Sequence, residues 1–193
     1  PTSTGWRGIA SRFAEGMRAC WRENSPMNCP GQCRNCAKKG GRVLNQKEID
    51  CRLCFRSQGP EDTREVGEFL SRGWVEGRGP RAGKLGPGAR AGLVISLGGE
   101  LGAGKTVFVK GLARGMGVEE ELVSSPTFVL ANQYLSPSNG LVLHHVDFYR
   151  LEAAGELESI GFFDMMEPGA LLVVEWGPKF LKELPEDRLE VTI

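Results

Sequence analysis

No stretch of this sequence approaches the ~18 to 20 consecutive apolar residues that a membrane span needs, so neither a spanning segment nor a membrane partner is expected. The opening, "PTSTGWRGIASRFAEG", lacks the charged start, apolar stretch and small-residue cleavage site of a secretory signal, and a cytoplasmic protein is expected by default. Cysteine is missing from the whole chain beyond Cys54: all six, Cys20, Cys29, Cys33, Cys36, Cys51 and Cys54, fall early, which separates their chemistry from the rest and marks a boundary. Net charge is missing too, with 24 Lys+Arg against 24 Asp+Glu, but the balance hides an asymmetry. Residues 1–58 hold 11 basic against 4 acidic side chains, and residues 59–193 hold 13 against 20. Such a basic arm serves either as a contact for RNA or an acidic partner, or as an ordinary solvated surface. There is no internal repeat, and the 193 residues leave room for one ordinary domain with a small appendage, not for two full domains.

What is present begins with "GPEDTREVGEFLSRG". Pro60, Glu61 and Asp62 suit a helix start, and Val66, Phe69 and Leu70 form an i, i+3, i+4 stripe. The segment 73–92 is rich in Gly, Pro and Arg and reads as a loop. "LVISLGG", Leu93 to Gly99, fits a buried parallel strand, and "TVFVKGLARGMG" carries a helical stripe ending at Gly115 and Gly117. Further strands are expected at "TFVLANQYL", "LVLHHVDFY" and "ALLVVEW", with a helical segment around "LEAAGELESIGF" between the last two. Strands interleaved with helices predict an α/β fold with a substantially parallel sheet.

Between the first strand and its helix lies "GGELGAGKT", in which Gly99, Gly104, Lys105 and Thr106 satisfy G-x-x-x-x-G-K-[ST]. In a chain with 27 glycines a chance origin has to be weighed. The residue frequencies give a random match in roughly 1 to 2% of such chains, and the strand and helix on either side lower that further. Each residue type has a task in this pattern. Glycines let successive backbone N–H groups turn toward phosphate oxygens, and the helix N-terminus adds its positive dipole end. Gly99, Glu100, Leu101, Gly102, Ala103, Gly104, Lys105, Thr106 and Val107 are therefore the expected nucleotide cradle, with Lys105 on the β- and γ-phosphates and the Thr106 hydroxyl on Mg²⁺.

Such a site needs acids, and two end apolar runs: Glu175 in "LLVVEW" and Asp147 in "HHVDFYR". Ligands gather at the carboxyl ends of parallel strands, which suits both to a metal or a polarised water; taken singly, each acid also reads as a surface salt bridge or a helix cap. His144 and His145, as strand neighbours, face opposite ways and are read as structural. Trp176 stacks on a base or covers the sheet, with core packing the simpler expectation.

The order "GGELGAGKT", "SSPTF", "HVDFYRL", "VVEWG" resembles the bacterial TsaE family, the ATPase component of tRNA threonylcarbamoyladenosine synthesis, over about residues 59–193. The resemblance implies a P-loop fold: a mixed, largely parallel sheet flanked by helices. It implies a small Mg²⁺-dependent ATPase that works with the TsaB and TsaD proteins and reaches tRNA through that complex, resetting it between turnovers. Carried onto this chain, Lys105 holds phosphate, Thr106 and Glu175 surround Mg²⁺, and Asp147 supports metal or water positioning. Thr127 lies on a segment like a γ-phosphate switch, Trp176 lies beside the nucleotide, and Thr63 matches a threonine near the base. The chain departs from the family in residues 1–58, which have no counterpart, and in a longer loop at 73–92. Relatives often continue into more strand past "RLEVTI", so a further C-terminal piece is expected.

In the arm, Cys33-x2-Cys36 and Cys51-x2-Cys54 are separated by fourteen residues, close to a four-thiolate zinc ribbon able to fold a segment too small for its own core. Cys29, Cys33 and Cys36 also match a cluster-binding spacing, though the barrel that accompanies it has no room here. The other reading is a basic tail with reduced thiols, or a stretch absent from the mature protein. Two rival functions stay open: a small-molecule or nucleotide kinase on the same loop, and a zinc-ribbon nucleic-acid adaptor with a degenerate nucleotide domain. Against the kinase, Gly117 to Arg150 holds only one Lys or Arg, where a phosphate-closing lid needs several. Against the adaptor stand the intact loop and both acids.

Overall fold

A computed structural model describes residues 57–76 and 92–193. All but Ser57 fall in one unit of the chain, Gln58–Ile193. The readings made for the basic arm, including the zinc ligands Cys33, Cys36, Cys51 and Cys54, and for most of the 73–92 loop, lie outside the described residues.

Helix α1 (Pro60–Val75) is followed by β1 (Leu93–Gly98), α2 (Lys105–Gly115), β2 (Ala131–Leu135), β3 (Val142–Asp147), the single turn α3 (Glu156–Ser159), β4 (Ala170–Glu175) and β5 (Leu189–Thr192). The five strands lie in the order β2-β3-β4-β1-β5. Strands β3, β4, β1 and β5 run parallel, and β2 is an antiparallel edge on β3. The fold is thus mixed α/β around a largely parallel sheet, as the interleaving of apolar runs and helical stripes predicts. Strands β1 and β4 are buried at every position, because both faces of a central parallel strand are covered and only a continuous apolar run tolerates that.

Side-chain alternation divides the sheet. Val94, Val146, Leu172 and Val174 join Phe148 and Phe162 in a core on one face, where the two phenyl rings meet edge to face at 5.1 Å. The odd-numbered side chains of the same strands, His145, Asp147, Val173 and Glu175 among them, point to the other face.

Three expectations change in detail. Residues Thr127–Leu130 are a turn, closed by Leu130 N–H on the Pro126 carbonyl at 2.6 Å, so β2 starts only at Ala131. The expected helix after Leu151 shrinks to one turn, since Gly155 precedes it and Gly161 ends it in a left-handed conformation, φ 66°. In α1 the buried face runs through Gly67, Glu68, Leu70, Ser71 and Trp74, while Val66 and Phe69 are only half-buried. The reason is close backbone contact with α2: a Cβ on Gly111 would stand 2.0 Å from the Arg64 carbonyl oxygen, and one on Gly67 2.3 Å from that of Phe108. Glu68, buried in this contact, accepts from Arg114 at 2.5 Å and from Arg72 at 2.8 Å. Gly111→Ala should therefore force the helices apart and lower stability by about 3 kcal/mol, near the upper end for overpacking because the obstacle is backbone. Urea unfolding of the variant beside the parent chain measures it; equal midpoints would show that the helices yield without cost.

Candidate functional site

The glycine loop joins the carboxyl end of β1 to the first turn of α2. Its glycines adopt φ values closed to most side chains: 142° at Gly99, 81° at Gly102 and 106° at Gly104. Around Gly102 and Gly104 the space where a Cβ would point is open, whereas at Gly99 a Cβ would meet the Ile193 carbonyl oxygen at 2.5 Å. Helix α2 carries no acidic residue in its first turn. A bare helix N-terminus behind an open glycine turn is a fit for an anion, because unpaired N–H groups and the dipole act together there.

Lys105 opens the helix and is 5% exposed. Its ammonium donates to the loop carbonyls of Gly99 at 3.0 Å and Glu100 at 2.8 Å, and lies 4.6 Å from the centre of the Trp176 ring. The buried ammonium is thus held between its own loop and the Trp176 ring. Glu100 and Leu101 are exposed, Leu101 at 80%, and Ala103 and Val107 are half-buried on the turn into α2.

The register of parallel strands then assembles the acids. Leu97 of β1 and Asp147 of β3 both pair with Glu175 of β4, so three strand ends converge beside the loop. Thr106 Oγ1 donates to Glu175 Oε1 at 3.0 Å, linking positions 69 residues apart. Asp147 uses one carboxylate oxygen to accept the Tyr149 N–H at 2.9 Å and the other to accept the Thr127 hydroxyl at 2.6 Å, and Thr127 also meets Ser125 Oγ at 2.8 Å. Both acids are buried, Asp147 at 2% and Glu175 at 4% exposure. Among the described residues no three His, Cys, Asp or Glu side chains are grouped to hold a metal alone. A hydroxyl and a carboxylate in contact are nonetheless the oxygen donor set that suits Mg²⁺, which takes its remaining ligands from phosphate and water.

Trp176 follows Glu175 in a left-handed conformation, φ 59°, rare for a large side chain. That turn directs the indole over Lys105 and against Tyr149, ring centres 5.2 Å apart. Thr63 sits in the first turn of α1, its hydroxyl 3.5 Å from the Gly59 carbonyl oxygen.

Two residues of this region go beyond the sequence-based expectations. His145, read as structural, places Nε2 2.9 Å from Glu175 Oε1 at zero exposure. Spacing held the clue: His145 and Asp147 are two apart on one strand and must share a face. Lys179, in the turn after β4, donates to the carbonyls of Phe148, Tyr149 and Leu151, tying the segment after Asp147 to the segment after Glu175. His144 faces the opposite side, in a cavity of about 390 Å³ with Asn132, Gln133, Asp164 and Glu167. Burial pushes its pKa down, with Glu167 opposing.

These features define an α/β protein whose glycine loop, helix start and two strand-end acids meet at the carboxyl edge of a parallel sheet. A family model described as Threonylcarbamoyl adenosine biosynthesis protein TsaE matches residues 60–193. Similar proteins named tRNA threonylcarbamoyladenosine biosynthesis protein TsaE include those of Streptomyces coelicolor and Bacillus subtilis. The protein of Streptomyces coelicolor is 45% identical over 116 residues, 60% of this chain and 75% of that protein. The protein of Bacillus subtilis is 32% identical over 142 residues, 73% of this chain and 77% of that protein. The crystal structure of Bacillus subtilis YdiB superposes with a TM-score of 0.49 at 29% identity, covering 73% of this chain and 75% of that one. This chain belongs to the TsaE family. No helix among the described residues is long and apolar enough to cross a membrane.

Proposed function

We propose that residues 59–193 form a P-loop ATPase domain that binds ATP with Mg²⁺, hydrolyses it, and so supports threonylcarbamoyladenosine formation on tRNA through the TsaB and TsaD proteins. The observation that carries this reading is the 3.0 Å bond from Thr106, at the head of α2, to Glu175, at the end of β4. That bond brings the one hydroxyl of the loop pattern to a buried carboxylate from a distant strand, the pairing a Mg²⁺-nucleotide site calls for.

In this reading the backbone N–H groups from Gly102 to Thr106 face the phosphates, and Lys105 exchanges its two loop carbonyls for phosphate oxygens. Thr106 and Glu175 would hold Mg²⁺, which neutralises charge developing between the β- and γ-phosphates. Asp147 orients the attacking water or a metal-bound one. Thr127, bonded to Asp147, reports the state of the γ-phosphate along the turn that ends at Leu130. Trp176 covers the nucleotide beside Lys105, and Thr63 approaches the base from α1. The family names given above support the tRNA link.

Two measurements test this together. The chain, alone and with TsaB and TsaD, is assayed for ATP hydrolysis, and both the full chain and residues 59–193 are placed in cells lacking TsaE, where modified adenosine in tRNA is measured. Slow hydrolysis alone, stimulation by the partners and restored modification are expected. Transfer of labelled γ-phosphate to a small acceptor without partner dependence, or failure of both chains to restore modification, would overturn the reading.

A further inference from the structure

We infer that His145 is a positioning residue for the Mg²⁺ site: its Nε2–H holds the Glu175 carboxylate in place beside Thr106. This rests on the Mg²⁺-nucleotide reading above and assigns that site one more member.

The contact is short, 2.9 Å, and wholly buried, with the imidazole at zero exposure and Glu175 at 4%. A carboxylate oxygen there offers only acceptor capacity, so the shared proton sits on Nε2. The other ring nitrogen, Nδ1, is buried with no hydrogen-bond partner among the described residues. An imidazole with a stranded nitrogen is a poor choice for filling space, since a leucine would occupy the strand position without desolvating a polar atom. Packing therefore does not account for the residue, and the single bond to Glu175 does. His145 and Thr106 both donate to Oε1, while Oε2 of Glu175 takes no hydrogen bond from the described residues. Two donors on one oxygen fix the plane of the carboxyl group and leave the second oxygen free to face a cation. Outer partners of this kind typically change metal affinity by about 10–100-fold when removed.

The geometry makes His145 and Asp147 a pair on one strand face, each holding a different part of the site. Asp147 takes the Thr127 turn, and His145 takes the strand-end acid of the neighbouring strand.

The test uses the full chain with Mg²⁺ and ADP as probes. His145→Leu removes the donor, and His145→Gln restores an N–H at similar reach. The Leu variant should need about ten-fold more Mg²⁺ for half-saturation, with ADP binding in the absence of Mg²⁺ unchanged, and the Gln variant should return to within about two-fold of the parent. Independently of nucleotide, the ¹⁵N spectrum of the histidine-labelled parent should show a hydrogen-bonded Nε2–H for His145 that shifts in Glu175→Gln. A folded Leu variant with the parent's Mg²⁺ requirement overturns the inference alone, and so does a His145 signal indifferent to Glu175→Gln. The spectral test needs only the parent and the Glu175 variant, so it decides the matter even if the Leu variant fails to fold. Absence of Mg²⁺-dependent ADP binding by the parent chain overturns the ATPase reading and this inference together.

Discussion

Lys105→Ala is expected to lower ATP affinity and turnover together by at least about a hundred-fold while leaving the fold nearly as stable as before. The ammonium is the one strong positive point charge of the loop pattern, and charge-assisted hydrogen bonds contribute about 1.5–3 kcal/mol each. Two such bonds to phosphate oxygens correspond to two or more orders of magnitude, since about 1.4 kcal/mol is a factor of ten. The same ammonium now bonds to the carbonyls of Gly99 and Glu100, so alanine also leaves these unpaired. That cost is small, because Glu100 is exposed, Gly99 is half-buried, and water replaces the lost donor. The two effects separate by measurement: a thermal melt within a few degrees of the parent beside a hundred-fold loss of ATP binding assigns the residue to phosphate. Lys105→Arg should rescue little. The Trp176 ring stands 4.6 Å from the ammonium, and a planar guanidinium needs a different approach from that of a compact point charge. An alanine variant that binds ATP as tightly as the parent would remove Lys105 from the site.

The parts of this site differ in how openly the sequence displays them, and the difference is physical. Gly99, Gly102 and Gly104 are legible because left-handed backbone restricts residue identity directly, and each sits at positive φ. Asp147 and Glu175 are legible as acids that end apolar runs. Their adjacency is not, because it depends on β3 lying next to β4 while β1 lies on the far side of β4, an order that follows from long-range packing. His145 was half visible: alternation separates it from His144 and aligns it with Asp147, but its partner stands 30 residues away on another strand. The α1 stripe misleads for a related reason. Val66 and Phe69 carry the apolar period, yet the helix docks through Gly67 and Ser71, because glycines at 111 and 115 on α2 let the backbones touch. A pattern of apolar residues reports where bulk could be buried; an interface made by omitting side chains leaves no such mark.

Glu175→Gln is the sharper probe of the metal. Glutamine keeps the size of the side chain and an oxygen able to accept from Thr106 Oγ1 and His145 Nε2, which stand 3.0 and 2.9 Å from Glu175 Oε1. What it removes is the negative charge. Glu175→Ala removes the acceptor as well and leaves the buried His145 and the half-buried Thr106 without it, at about 1–3 kcal/mol for the buried group, so its loss of activity mixes catalysis with destabilisation. With glutamine, ADP binding without Mg²⁺ should match or exceed the parent, since a carboxylate near phosphate repels it in the absence of the cation. Hydrolysis should fall by about a hundred-fold or more, and added Mg²⁺ should restore only part of it, because a neutral amide oxygen is a weak ligand for a hard cation. The sign of the first effect matters most. A residue that merely braces β4 would lower nucleotide affinity with or without Mg²⁺ when replaced, whereas a metal-side acid lowers it only with Mg²⁺ present. Equal loss under both conditions would return Glu175 to a structural role, and with it the bond from Thr106 on which the ATPase reading rests.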